Sequence, residues 1–430
     1  MSYQKRLLKA IPGGAHTYSR GYDQFPSNAP QILSSGKGAY VSDPEGRRYL
    51  DYGMALRSVG IGYSESEIDE AAFRQIQNGN NLTRASVIEL EAAELLVDLI
   101  DSVEMVKFTK NGSTAVTAAV KLSRAYTGRE LVARCADHPF FSYDDWFIAS
   151  TPITKGIPED TVSRTKQFKF NDIDSLEELF ASYPGQFACV VLEPAVSEEP
   201  EGNFLERAQD LCRKNGVVFI LDEMITGFRW HLKGAQHCYG VEPDLCTFGK
   251  AMANGFSVAC VAGKREIMEL GAIEFENRER VFLLSTTHGA EMAGLGAFVA
   301  TVEYMDRNNV VEHFWDYGKK LISLMNLKTK EYGSETSFKS GGVVCSPYYI
   351  TLDSCGQNSL ALRTLFSQEM IRNGVIMPWI ALSYRHREEE LQMTEEAICK
   401  SFEVYRKALE DGPEKFLEGP VIKQVFRKYN

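Results

Sequence analysis

The segment Val217–Glu223 reads VVFILDE, five apolar residues in one run and then two carboxylates. A short unbroken apolar run suits a strand covered on both faces. Just upstream, FLERAQDLCRKNG (204–216) has helical spacing, with Gly216 past its last turn. The same alternation extends both ways. VIELEAAELLVDLI (87–100) reads as a helix and VEMVKF (103–108) as a strand. STAVTAAVKLSRAYTG (113–128) is a helix ended by Gly128, ACVVLEP (188–194) a strand stopped by Pro194, and VACVAG (258–263) a further strand. Alternating strands and helices predict an α/β fold with a mostly parallel sheet. Ligands of such sheets bind outside the carboxyl ends of the strands, where Asp222 and Glu223 stand.

The chain has 430 residues, enough for two or three domains or one large α/β domain with an appendage. It is 44% hydrophobic and 24% charged, with a net charge of -11. An acidic chain gains nothing from a phosphate backbone, so nucleic acid is not an expected partner. No apolar run is long enough to span a bilayer. MSYQKRLLKAIPGG (1–14) has no apolar core of a signal sequence. None of the nine cysteines forms a C-x-x-C pair. We therefore expect buried, reduced thiols in a cytoplasmic protein. The seven histidines show no helical ligand spacing, so no metal site is expected.

AYVSDPEGRRYLDYG (39–53) reads as a hairpin around an Asp-Pro-Glu-Gly turn. From about residue 290 the pattern becomes a long helical stretch. The expected domains are a large one over 61–310 and a small α+β one over 311–430, with an N-terminal segment, 1–60, packing beside the latter.

Four features at strand ends carry chemistry. In FTKNGSTAVTAA (108–119), Asn111, Gly112 and Ser113 enter a helix, either as an ordinary cap or as amides for a phosphate. Asp222 ends its buried strand, where a carboxylate needs a cation or donors. A metal, a local amide or a protonated heterocyclic nitrogen would each serve. In TFGKAMANG (247–255), Lys250 is either a solvated lysine or an amine aimed into a pocket. DHPFFSYDDWF (137–147) is an aromatic loop, either core or the wall of a pocket. Taken together, a phosphate cradle, a flat aromatic wall, a buried carboxylate and a lysine describe pyridoxal 5'-phosphate (PLP).

The chain resembles class III PLP-dependent aminotransferases, in the branch that includes glutamate-1-semialdehyde aminomutase. The likeness covers nearly the whole length. It is carried by IPGG (11–14), KGAYVSDPEGRRYLDYG (37–53), NGSTAVTAAVKLSRAYTGR (111–129), VVLEP (190–194), LDEMITGFR (221–229), PDLCTFGKAMANG (243–255) and STTHGAEMA (285–293). The resemblance implies fold type I, with 61–310 as the PLP-binding domain, and a homodimer with shared active sites. Lys250 resembles the Schiff-base lysine and Asp222 the partner of the pyridine nitrogen. Gly112 and Ser113, after Asn111, match the phosphate turn. Thr287 matches a threonine that reaches the phosphate from the partner subunit. Phe140 falls at the stacking position, Met224 on the opposite ring face and Glu193 in a Glu-Pro element.

The chain also departs from this branch. The family's Tyr-His-Gly loop is replaced by Phe140-Phe141-Ser142. A substrate-pocket tryptophan becomes Leu56, with Arg57 beside it, while Arg20 matches an arginine near the substrate carboxylate. YDDWFIAS (143–150) and PWIALSYRH (378–386) resemble class III members of bacterial surface-sugar and nucleotide-sugar pathways. The expected function is transfer of an amino group from a donor such as glutamate to a keto or aldehyde acceptor, with a sugar derivative as one candidate. The alternatives are a 2,1-aminomutase and a non-catalytic PLP-binding protein.

Overall fold

Seven strands make the central sheet. They are β1 (Met105–Thr109), β2 (Leu131–Cys135), β3 (Thr165–Phe168), β4 (Phe187–Leu192), β5 (Val218–Asp222), β6 (Leu245–Phe248) and β7 (Ala259–Gly263). The computed structural model describes residues 1–429. The strands lie in the order β1-β7-β6-β5-β4-β2-β3. Strand β7 runs antiparallel to β1 and β6, and the other four pairings are parallel. The antiparallel strand is VACVAG, which its apolar run alone did not distinguish from its neighbours. Every residue of β4, β5, β6 and β7 is buried, as expected of strands with helices on both faces.

This sheet belongs to a compact unit, Ser66–Val311. Its helices include α1 (Ser66–Gln77), α2 (Val87–Leu99), α3 (Gly112–Thr127), α4 (Ile173–Ser182), α5 (Phe204–Asn215) and α6 (Met292–Arg307). Helix α3 packs across the sheet from β1 to β4, and α6 packs on α1 and α2. Their ends follow local chemistry. Ser86 and Glu89 close a capping box on α2. Gly128 and Gly216 take left-handed conformations that close α3 and α5. The helical stretch after residue 290 is two helices, α6 and Val310–Glu331. The chain breaks at Asn309, whose φ is +50°.

The second unit comprises Met1–Glu65 and the chain from Glu312 onward. The hairpin of Tyr40–Ser42 and Arg48–Asp51 forms there, and Val375–Ile376 adds in parallel beside Arg48–Asp51. Its core holds a polar knot, in which the Tyr52 hydroxyl lies 2.7 Å from that of Tyr317 and 2.8 Å from Thr394 Oγ1. After the hairpin, Met54, Ala55, Leu56 and Arg57 all have positive φ, from +38° to +67°. A left-handed turn costs about 1–2 kcal/mol per non-glycine residue, so its surroundings must hold it. The Asp51 carboxylate accepts from Gly53 N at 2.7 Å. Trp379 Nε1 donates to the Gly53 carbonyl at 3.0 Å, and Ser58 Oγ donates to the Ala55 carbonyl at 2.7 Å.

All nine cysteines are unpaired, and six are buried. The expectation of burial fails at Cys238 and Cys355, which are exposed, and at half-buried Cys399. They lie outside the apolar strands that bury Cys189 and Cys260. Among the described residues no helix is long and apolar enough to cross a membrane.

Candidate active site

The topology gathers the polar motifs at one edge. Parallel strands β2, β4, β5 and β6 all end on the same side of the sheet. Strand β1 is two antiparallel steps from β6, so it regains that direction. Residues that follow the carboxyl ends of these strands therefore share an edge. They include Asn111 after β1, the 137–143 loop after β2, Glu193 after β4, and Lys250 after β6. Asp222 is the last residue of β5.

Asp222 and Glu223 are adjacent, buried and differently employed. Glu223 accepts from Ala235 N and Gln236 N, each at 2.9 Å, and from the Thr226 hydroxyl. It organises its own loop, and a Cβ on Gly234 would stand 2.7 Å from its Oε1. Asp222 accepts from Met224 N at 2.9 Å and from Thr247 Oγ1 at 3.2 Å, both on Oδ1. Oδ2 keeps its lone pairs for a cation. Burial pushes the Asp222 carboxyl up to about 6, and the Lys250 ammonium pulls the other way. The two side chains thus feel each other's charge. Thr247 is the register partner of Asp222 across β5 and β6, and sequence reading alone missed it. The clue was there: Thr247 opens the stretch that holds Lys250.

Lys250 adopts φ +44°, unusual for a lysine. It follows Gly249, where a Cβ would meet Met224 Sδ at 2.7 Å. A Cβ on Gly112 would also meet Met224 Sδ at 2.7 Å. Met224, 6% exposed, is thus wedged between the glycine that opens α3 and the glycine before Lys250, against Ala115 and Ala259. These contacts bring three of the four motifs together.

The helix entry is ready for an anion. Asn111 caps α3, its Oδ1 accepting from Thr114 N at 2.9 Å. Buried Ser113 accepts on Oγ from Tyr143 N at 3.2 Å, which leaves its own hydroxyl hydrogen to donate. The aromatic loop is tied to this entry. Ser142 Oγ donates to the Ser113 carbonyl at 3.3 Å, and the Tyr143 hydroxyl lies 3.3 Å from Thr114 Oγ1. Phe140 is 46% exposed, with its ring edge-on to Phe147, while Phe141 is buried. Ser142 and Tyr143 were not singled out from the sequence. His138 was missed too: it is buried, its Nδ1 accepts from Glu193 N at 2.9 Å, and burial lowers it to about 3. It therefore stays neutral and joins the 137–143 loop to the Glu193 backbone. Thr287 is exposed, and its carbonyl accepts from Asn81 Nδ2 at 3.2 Å. None of these contacts ties Thr287 to Lys250. Arg20, Leu56 and Arg57 belong to the other unit, where Leu56 and Arg57 form part of the left-handed turn.

The class-III aminotransferase family model matches residues 19–347. A 3-aminobutyryl-CoA aminotransferase of Cloacimonas acidaminovorans is 33% identical over 421 residues, spanning 95% of this chain and 98% of that relative. The chain belongs to the class III aminotransferase family. It is a PLP-dependent enzyme of fold type I. A glutamate-1-semialdehyde 2,1-aminomutase of Francisella philomiragia is 28% identical across 92% of this chain and 95% of its own. The fold matches that of the Sphingopyxis sp. MTA144 FumI protein in its PLP form, with a TM-score of 0.87 at 24% identity, over 96% of this chain and 98% of that one. The residues present suit the cofactor. A buried carboxylate has one oxygen to spare, a lysine lies within its field, and a capped helix entry offers amides and a hydroxyl.

Proposed function

We propose that this aminotransferase carries an amino group from an amino-acid donor, glutamate, to a ketone or aldehyde acceptor. The observation that supports it most is the Asp222–Lys250 pair, set at the ends of adjacent strands with Met224 wedged beside it. The cofactor, when bound, supplies an electron sink for the carbanion chemistry. The chain supplies everything else. The Asp222 carboxylate would keep the proton on the ring nitrogen, and Thr247 and the Met224 amide fix that carboxylate. The Asn111–Gly112–Ser113 turn offers amides and the Ser113 hydroxyl to the phosphate. Met224 and Phe140 would line the cofactor's place. Lys250 would hold the cofactor and, as an amine, would take up and return the proton at the substrate α carbon. Glu193 supports the loop from its backbone. Arg20, Leu56 and Arg57 contact the substrate, and Thr287 completes the phosphate site of a partner subunit in a homodimer.

Lys250→Ala tests this reading. The purified variant should lack the visible absorbance of the lysine-bound cofactor, and its turnover should fall at least about 10²-fold. Wild-type turnover in that variant would sink the proposal. A donor-by-acceptor screen that includes nucleotide-linked keto sugars identifies the acceptor.

A second reading, a 2,1-aminomutase, is favoured by the Francisella relative. Product analysis separates the two, because a mutase turns over without an external amino donor.

A further inference from the structure

Two motif stretches hold charged residues to which the cofactor site gives no role. They are Lys110 in FTKNGST (108–114) and Glu291 in THGAEMA (287–293). The two residues are far apart in sequence, yet Lys110 Nζ donates to Glu291 Oε2 at 2.7 Å. An ion pair on an open surface contributes little, but both of these side chains are half-buried. The pair is also built in. Ser257 Oγ donates to the Lys110 carbonyl at 2.6 Å, which fixes the lysine's backbone. Burial works to raise the Glu291 carboxyl, but the Lys110 ammonium and the Asn80 amide outweigh it and hold it below its ordinary value.

Each partner adjoins a segment that meets an anion in the proposed function. Lys110 directly precedes the Asn111–Gly112–Ser113 turn. Glu291 is the N-cap of α6 and directly follows the 286–290 turn, which carries Thr287. That turn rests on the end of β1, where a Cβ on Gly289 would stand 3.2 Å from the Phe108 carbonyl oxygen. Asn80 and Asn81 tie it from elsewhere in the same unit. Asn81 Nδ2 donates to the Thr287 carbonyl at 3.2 Å, Met292 N to the Asn80 carbonyl at 2.7 Å, and Ala293 N to Asn80 Oδ1 at 3.0 Å. Lys110 and Glu291 thus make a charged link between two turns that both serve phosphate. Donors held in place before an anion arrives bind it better than donors that must be ordered.

We infer that Lys110 and Glu291 are positioning residues for the cofactor phosphate, their pair holding the Asn111–Ser113 turn and the 286–290 turn in one fixed relation. The inference deepens the proposed function and rests on it for Ser113 and Thr287 being groups that meet phosphate.

The test is retention of cofactor by the holoenzyme during dialysis against inorganic phosphate, read from visible absorbance well below the melting temperature. Glu291→Gln keeps the shape of the side chain and removes its charge. It should lose cofactor about tenfold faster than wild type, since a hydrogen bond between charged groups is worth more than a neutral one. Lys110→Met should do the same, and the double variant should be no worse than either single, because the two act as a unit. Lys110→Arg should restore most of the retention. Wild-type retention in Glu291→Gln overturns the inference. So do additive losses in the double variant, or a lower melting temperature with retention unchanged, which is all that a merely structural pair would show. Tighter retention in Glu291→Gln also overturns it, because a freed Lys110 would then be meeting the phosphate itself. Thr287→Val separates this inference from the shared-site reading. Faster loss in both Thr287→Val and Glu291→Gln supports both. Faster loss in Thr287→Val alone overturns the inference and leaves the shared site standing. Faster loss in Glu291→Gln alone sinks the role of Thr287 and supports the pair, acting through the Asn111 turn.

Discussion

At the residue scale, the informative contrast is between Asp222 and Glu223. Both are buried carboxylates, but Glu223 has its donors from its own loop, while Asp222 keeps one oxygen in reserve. Thr247 holds Asp222 in place through a single 3.2 Å hydrogen bond. Thr247→Val should therefore weaken cofactor affinity about tenfold without unfolding the protein. Titrating cofactor-free protein by visible absorbance measures it, and unchanged affinity would remove Thr247 from the site. Burial raises the Asp222 carboxyl from 3.8 to about 6. Between those values the folded, cofactor-free protein holds a proton that the unfolded chain has lost. This group should thus contribute stability that falls as pH rises from about 4 to 6, and Asp222→Asn should lessen that slope, because the buried carboxyls of Asp51 and Glu223, also raised by burial, act in the same direction. Thermal melts of the cofactor-free wild type and variant across that range check the sign. The Asp222 and Lys250 positions were legible in the sequence because a carboxylate after five buried residues demands a partner. Thr247 was not, because its role depends on strand register, and a hydroxyl in an apolar strand has many bland uses.

At the element scale, the entry to α3 leaves little room for an added side chain. Gly112→Ala drives a methyl against Met224 Sδ at 2.7 Å. Met224 must then shift from its place beside Gly249. We expect a loss of about 1–3 kcal/mol in stability, with weaker cofactor binding, read from melts and from the same titration. Asn111→Ala removes only the cap and should cost about 1 kcal/mol. The left-handed turn gives the opposite prediction. Ala55→Gly relieves backbone strain, offset partly by the entropy of an added glycine, for a net gain of about 0.5–1 kcal/mol. Most elements were legible from apolar period and helix stops, including α3 with Gly128 and α5 with Gly216. The antiparallel direction of β7 was not, since direction leaves no mark on an apolar run. The left-handed turn was also invisible, because MALR carries none of the glycines that announce such backbone.

At the scale of the whole molecule, large apolar side chains remain uncovered in this chain. Phe73 and Ile76 on α1, Leu82, and Val87 and Leu90 on α2 are each about half exposed or more. Exposed apolar surface of this kind marks an interaction face. We expect light scattering to give twice the monomer mass, and Leu90→Glu to shift it towards the monomer. A monomeric wild type with full turnover would remove Thr287 from its proposed role. The identity of the acceptor was the least legible property of the sequence. The contacts that select it are assembled from segments far apart in the chain, which no local pattern brings together.

The turn at 54–57 bears on how this enzyme would respond to selection. Most stabilising substitutions are sought on surfaces, away from function. Here a glycine at Ala55 is a stabilising step beside Leu56, a proposed substrate contact. A screen for heat tolerance alone would favour that step early and blunt discrimination among acceptors while leaving the Lys250 chemistry intact. Heat-selected variants should therefore become generalists before they become inactive.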